Sequence, residues 1–129
     1  MMALSDKSKG MLGGIHPVLS KIVEEAAGVS PVEFQVTEGL RSVERQAQLI
    51  KEGKSSLKDP KMGRHVMGIA CDIACFVGGK LTWDMKYYKQ VAEVIKQVGA
   101  QQGVQVIWGG DWKSFPDGPH FELPLTYRP

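Results

Sequence analysis

The chain has 129 residues, 43% of them hydrophobic and 23% charged, with a net charge of +2. That length suits one compact domain with one core, and that composition excludes a disordered chain. The charge is too small to imply nucleic acid by itself, though it is compatible with a polyanionic surface such as a bacterial wall, and no stretch is long and apolar enough to span a membrane.

Residues 1–14 are small and polar and end in Gly10, Gly13 and Gly14. They are expected to form a short helix or a loose arm. Their first residues lack an apolar signal core, so a substrate outside the cytoplasm would require a separate route out. His16-Pro17 then opens a helix, because proline suits a first turn. Val18, Leu19, Ile22, Val23, Ala26 and Ala27 make its apolar stripe, and Gly28 is its expected stop. His16, beside that proline, reads as an exposed cap residue and not as a metal ligand.

Residues 32–38 alternate apolar and polar and predict a strand with Val32, Phe34 and Val36 inward. Ser42 is placed to cap the next helix, with Glu44 favourable in its first turn. Ala47, Leu49 and Ile50 give that helix its apolar face, and Gly53 closes it. Arg41 stands where strand turns into helix, a position that can point into a cleft. On the residues alone it reads as a surface arginine paired with Glu38 or Glu44. Residues 51–64 are basic and rich in breakers, and predict a mobile loop.

His65 and Asp72 are seven positions apart. On an unbroken strand that spacing would set them on opposite faces. Gly68 supplies a break, so that His65 can precede a turn and Asp72 can follow on a strand. That strand carries Ala70, Asp72 and Ala74 on one face and Ile69, Cys71, Ile73 and Cys75 on the other. The second face reads as core, with both cysteines packing there as apolar residues. They lie too far apart along a strand to bridge, and no disulfide framework is visible.

Residues 77–80 predict a turn. Thr82 or Asp84 then caps the longest helix, at 84–102, whose buried stripe is Tyr87, Tyr88, Val91, Val94, Ile95 and Val98. Gly103 ends it. Residues 104–108 predict a strand, 109–119 a loop rich in glycine and proline, 120–123 a short returning strand, and the tail to Pro129 an extended segment.

Two histidines and one carboxylate, His65, His120 and Asp72, are three side chains of the kind that hold a catalytic zinc with a fourth position left for water, although on the residues alone each histidine also reads as structural or surface and Asp72 as a buried, hydrogen-bonded carboxylate. Asp117, three residues before His120, is the natural candidate for the base that takes a proton from water. Asp111 and Glu122 also lie close in sequence and remain open for that role. Arg41 is a candidate to stabilise a developing oxyanion or to hold a substrate carboxylate. No Gly-x-Ser-x-Gly occurs, and neither cysteine has a local activating context.

His65-x6-Asp72 followed by Asp117-x-x-His120 resembles the zinc-ligand pattern of the M15 peptidases, the D-alanyl-D-alanine carboxy- and dipeptidase group. The runs 36–42, 44–46 and 108–115 are similar to one branch, which includes phage endolysins with L-alanyl-D-glutamate endopeptidase activity. The resemblance covers residues 30–125. It implies an α+β domain of the hedgehog/D-Ala-D-Ala peptidase type, with a small antiparallel sheet and flanking helices. It implies zinc held by His65, Asp72 and His120, Asp117 as base, and Arg41 assisting the transition state. Gly63 departs from the pattern, in which serine is usual two residues before the first histidine. Cys71 stands where small or aliphatic residues are common.

The resemblance further implies bacterial peptidoglycan as substrate, a monomer, and no nucleic acid or membrane insertion. Such an enzyme collects in the host cytoplasm and meets the wall once a holin opens the membrane. Two alternatives stay open: a D,D- or L,D-carboxypeptidase trimming terminal D-alanine, and a non-catalytic wall-binding domain with a structural zinc. A regulatory calcium ion near Asp111 is a further open possibility, although no Asp-rich calcium loop is visible.

Overall fold

A computed structural model of the chain describes residues 4–55, 59 and 63–125. The described helices are α1 (Asp6–Leu12), α2 (Pro17–Val29), α3 (Val43–Lys51) and α4 (Met85–Gln101). The strands are β1 (Glu33–Glu38), β2 (Ala70–Val77), β3 (Lys80–Thr82), β4 (Ile107–Trp108) and β5 (His120–Glu122). They form one antiparallel sheet in the order β1-β2-β5-β4, with β3 also paired to β2. This is the α+β arrangement expected from the sequence.

The long strand β2 organises the sheet. Its two-residue period buries Cys71, Ile73 and Cys75 completely in the core and turns Asp72 the other way. Both thiols are free, as expected. Gly78 and Gly79, at φ 59° and 79°, make the two-residue turn that pairs Val77 with Lys80. The sequence predicts this turn but not the strand β3 that follows it.

Helices α2 and α4 pack together, and their apolar stripes join the inward residues of the sheet in one core. Leu19, Ile22 and Val23 of α2 and Tyr88, Val91 and Ile95 of α4 belong to this core, all fully buried. Each buried Leu, Ile or Val contributes roughly 2 kcal/mol. The caps are those predicted. Ser42 Oγ accepts from Arg45 N at 3.0 Å, and Asp84 Oδ1 accepts from Lys86 N at 3.1 Å. His16 Nδ1 accepts from Val18 N at 3.1 Å, with Pro17 in the first turn.

One open alternative closes and three expectations change. The N-terminal segment forms the short helix and not the loose arm: α1 packs on β1, with Leu4 and Leu12 buried. Ser8 Oγ accepts from Val36 N at 2.9 Å and so satisfies a backbone donor of the edge strand. Helix α2 runs through Gly28 and is stopped by Ser30, whose hydroxyl bonds both N and O of Val32. Helix α3 turns Gln46 inward and leaves Ala47 exposed, because it faces a polar cleft and not the core. The strand expected at 104–108 shrinks to Ile107–Trp108, since Val104 N is already bound to Gly99 O at the end of α4. Most of the predicted loop at 51–64 and the end of the tail lie outside the described residues.

Candidate metal centre

The site lies across the middle of the sheet. Asp72 of β2 is the register partner of His120 of β5 on one side. On the other side its partner is Glu38 of β1, because the β1–β2 register shifts between Val36 and Glu38. His65 arrives from the turn at 64–68, where Gly68 has φ +75° and Ile69 N bonds Arg64 O at 3.1 Å. That turn removes the opposite-face problem which the spacing raises.

The three candidate ligands converge. His65 Nε2 lies 3.2 Å from Asp72 Oδ1, and His120 Nδ1 lies 3.1 Å from the same oxygen. One ligand atom from each residue lies within 4.8 Å of the others. The outer ring nitrogens are both engaged. His65 Nδ1 is 2.8 Å from the Gly39 carbonyl oxygen, and His120 Nε2 is 2.7 Å from Glu122 Oε1. These acceptors call for a proton on the outer nitrogens, which leaves the inner ones with lone pairs for a cation.

Burial alone would raise the Asp72 carboxyl, but hydrogen bonds from His120 and His65 outweigh it and hold the group well below the usual carboxylate range. Burial lowers His120, yet Asp72 and Glu122 more than compensate and bring it to about 9 in the metal-free site. The Asp72 and Glu122 carboxylates thus set a negative potential around His120, which holds a proton on its inner nitrogen near neutral pH that a bound cation would displace.

Asp117 lines the same cleft, which has a volume of about 690 Å³. Burial, and then the charge of Asp72, raise its pKa above the ordinary carboxyl value. Its carboxylate has no hydrogen bond or ion pair among the described residues. Its backbone is fixed by Gly109 O, which accepts from Asp117 N at 2.9 Å. Gly109 has no room for a side chain, since a Cβ would overlap the Asp117 carbonyl oxygen. The two other acids left open by the sequence are committed elsewhere. Asp111 is paired with Lys96 on the surface, and Glu122 is buried against His120 and 3.5 Å from Arg64.

Arg41 makes the predicted pairing with Glu38, but its side chain is 14% exposed and so is not a surface one. Its Nε and Nη2 donate to Glu38 Oε1 and Oε2 at 2.6 and 2.7 Å, and it also lines the cleft. Its Nη1 donates to Gln46 Oε1 at 2.6 Å, and Gln46 Nε2 reaches Ser55 Oγ at 3.0 Å. Gln46 was not singled out from the sequence, Glu38 was named only as a possible partner of Arg41, and Glu122 only as an alternative base and not as the residue behind His120. For Glu122 a signal existed, because it shares a strand face with His120 two residues earlier. Gly63 lies against Gln46. A Cβ there would stand 3.3 Å from Gln46 Cδ and Oε1, so a serine would have to press on the side chain that holds Arg41.

A family model described as phage L-alanyl-D-glutamate peptidase matches residues 1–123. The chain is 34% identical over 111 residues to the L-alanyl-D-glutamate peptidase of Escherichia phage T5, covering 85% of this chain and 81% of that one. It is 30% identical over 128 residues to the peptidoglycan L-alanyl-D-glutamate endopeptidase CwlK of Bacillus subtilis, covering 84% and 73%. Among solved structures, the Serratia marcescens L-Ala D-Glu endopeptidase ChiX superposes with a TM-score of 0.87 at 36% identity, over 95% of this chain and 90% of that one.

Proposed function

The chain belongs to the phage L-alanyl-D-glutamate peptidase family, and from that premise we propose that it is a zinc-dependent endolysin that cuts the L-Ala–D-Glu bond of the peptidoglycan stem. The observation that carries the metal part is the convergence of His65, Asp72 and His120 with their outer nitrogens already engaged. Two imidazoles and a carboxylate suit zinc, and they leave a position open as catalytic zinc sites do. When bound, zinc supplies Lewis acidity that brings the pKa of water to about 7 and polarises a carbonyl.

The remaining steps belong to the chain. Asp117 takes the proton from the attacking water and passes it to the leaving D-Glu amine. Its raised pKa suits both halves of that transfer. Arg41 is held by three hydrogen bonds, two to Glu38 and one to Gln46, so its orientation needs no rearrangement as negative charge develops on the scissile carbonyl oxygen. Trp112, whose ring centroid is 5.1 Å from that of His120, shields the ligand from bulk water.

The protein acts as a monomer, collects in the host cytoplasm and reaches the wall after a holin opens the membrane; kinship with phage enzymes supports this route. Mass spectrometry of digested peptidoglycan tests the bond assignment. New L-Ala carboxyl and D-Glu amino termini are expected. Release of D-alanine alone would make the protein a carboxypeptidase, and zinc binding without any cleavage would make it a wall-binding domain.

A further inference from the structure

We propose that Phe115 and Trp112 form an aromatic wall that binds the uncharged muramoyl–L-alanine half of the substrate, an inference that rests on the endopeptidase reading above. Among the described residues Phe115 is the one non-glycine with positive φ, at 54°. Its side chain is also 86% exposed. A bulky residue in the left-handed region is strained, and a large ring in water is unfavourable. Phe115 thus combines two unfavourable features without joining the core. What its ring does is line the catalytic cleft together with Trp112. Trp112 is itself 37% exposed, and its ring is tilted 43° to that of His120. Strain of this kind points to a binding role.

The topology gives the wall a side. Asp72 and His120 occupy the two central strands in the order β1-β2-β5-β4. Arg45 and Lys54 line the cleft from α3 and the segment after it, which follow β1. Trp112 and Phe115 belong to the segment that joins β4 to β5, beyond the opposite side of Asp72. The substrate is asymmetric in the same sense. On the amino side of the scissile bond stand L-alanine and the muramoyl sugar, which carry no charge. On the carboxyl side stand D-glutamate and the residues after it, which carry carboxylates. Charge matching sends the acidic side towards Arg45 and Lys54 and leaves the aromatic side for the sugar and the alanine methyl. Flat aromatic rings suit the apolar face of a sugar.

The test is binding of N-acetylmuramoyl-L-alanine amide, uncharged like the same half of the intact substrate, to the zinc-loaded protein, followed by NMR titration. Phe115→Ala is expected to weaken it by about tenfold, and Phe115→Tyr by less than about twofold. Binding of D-γ-glutamyl-diaminopimelate should not change in Phe115→Ala. Phe115→Gly relieves the backbone and should raise Tm by about 3 °C while weakening the muramoyl ligand just as much. A ring with a structural role would lower Tm instead. Equal muramoyl-ligand binding by wild type and Phe115→Ala, no saturable binding by wild type, or selective loss of the acidic dipeptide would each overturn the wall. Wild type that binds the muramoyl ligand but cuts no peptidoglycan would instead sink the endopeptidase reading.

Discussion

Replacing Glu122 with Gln should weaken zinc binding without stopping turnover. Glu122 is 7% exposed and sits 2.7 Å from His120 Nε2, with its other oxygen 3.5 Å from Arg64 Nε. For His120 to offer Nδ1 to a cation, its proton must stay on Nε2, where this carboxylate holds it. Glutamine keeps the size and one acceptor but removes the charge. A charged acceptor is worth roughly 1.5–3 kcal/mol against about 1 for a neutral one. Loss of such a backing carboxylate costs about 10–100-fold in metal affinity, which is about 1.4–2.8 kcal/mol. Zinc affinity is read by competition with a chromogenic chelator, and turnover is then measured at saturating zinc. The expected result is weakened affinity with turnover restored to within a few fold. Turnover abolished at saturating zinc would put Glu122 in the proton transfer, and unchanged affinity would refute its role behind His120.

Asp117→Asn should lower turnover by about 10²–10⁴-fold while leaving zinc content unchanged, as metal analysis will show. Because burial and Asp72 raise the Asp117 pKa in the protein without metal, this carboxyl should titrate there above its ordinary value of 3.8, as NMR will show; a midpoint at or below that value would contradict the burial of the group. The sign for stability follows from the same shift. The folded state holds this proton more tightly than the unfolded chain, so ionised Asp117 opposes folding as pH rises, and Asp117→Asn should raise the neutral-pH Tm of the metal-free protein. Gly109→Ala should press on both the Asp117 backbone and His120 Cβ and so lower turnover and zinc content together, checked by the two assays side by side. Burial pushes the Cys75 thiol from 9.0 to about 12, which leaves about a thousandfold less thiolate than an ordinary cysteine near neutral pH. A chromogenic disulfide should therefore label neither cysteine until the chain is unfolded.

That His65 and Asp72 could share one site was legible because it rests on local signals that survive folding. Gly68 announces the break that frees His65 from the strand, and small or apolar neighbours mark Asp72 as the polar member of an otherwise packed strand. What no local pattern could supply was the pairing that sets Asp72 between Glu38 and His120, since register across strands depends on a shift between Val36 and Glu38. Arg41 shows the same limit. Its pairing with Glu38 was readable from spacing alone, but its place in the cleft depends on α3 turning Gln46 inward. Helical periodicity hid that, because it nominates Ala47, Leu49 and Ile50 as the buried face. Helix α1 was obscured by its polar composition: it is anchored by Leu4, Leu12 and the Ser8 hydroxyl and not by a continuous stripe. The conformation of Phe115 leaves no trace in composition at all.

The most direct test of the metal assignment is zinc titration into chelator-stripped protein, with peptidoglycan cleavage recorded at each step. Cleavage should be absent at the start, rise in proportion to zinc and level off at one equivalent, and His65→Ala should show neither tight zinc uptake nor cleavage. Full cleavage by the stripped protein, or unchanged activity in His65→Ala, would contradict a catalytic zinc at His65, Asp72 and His120.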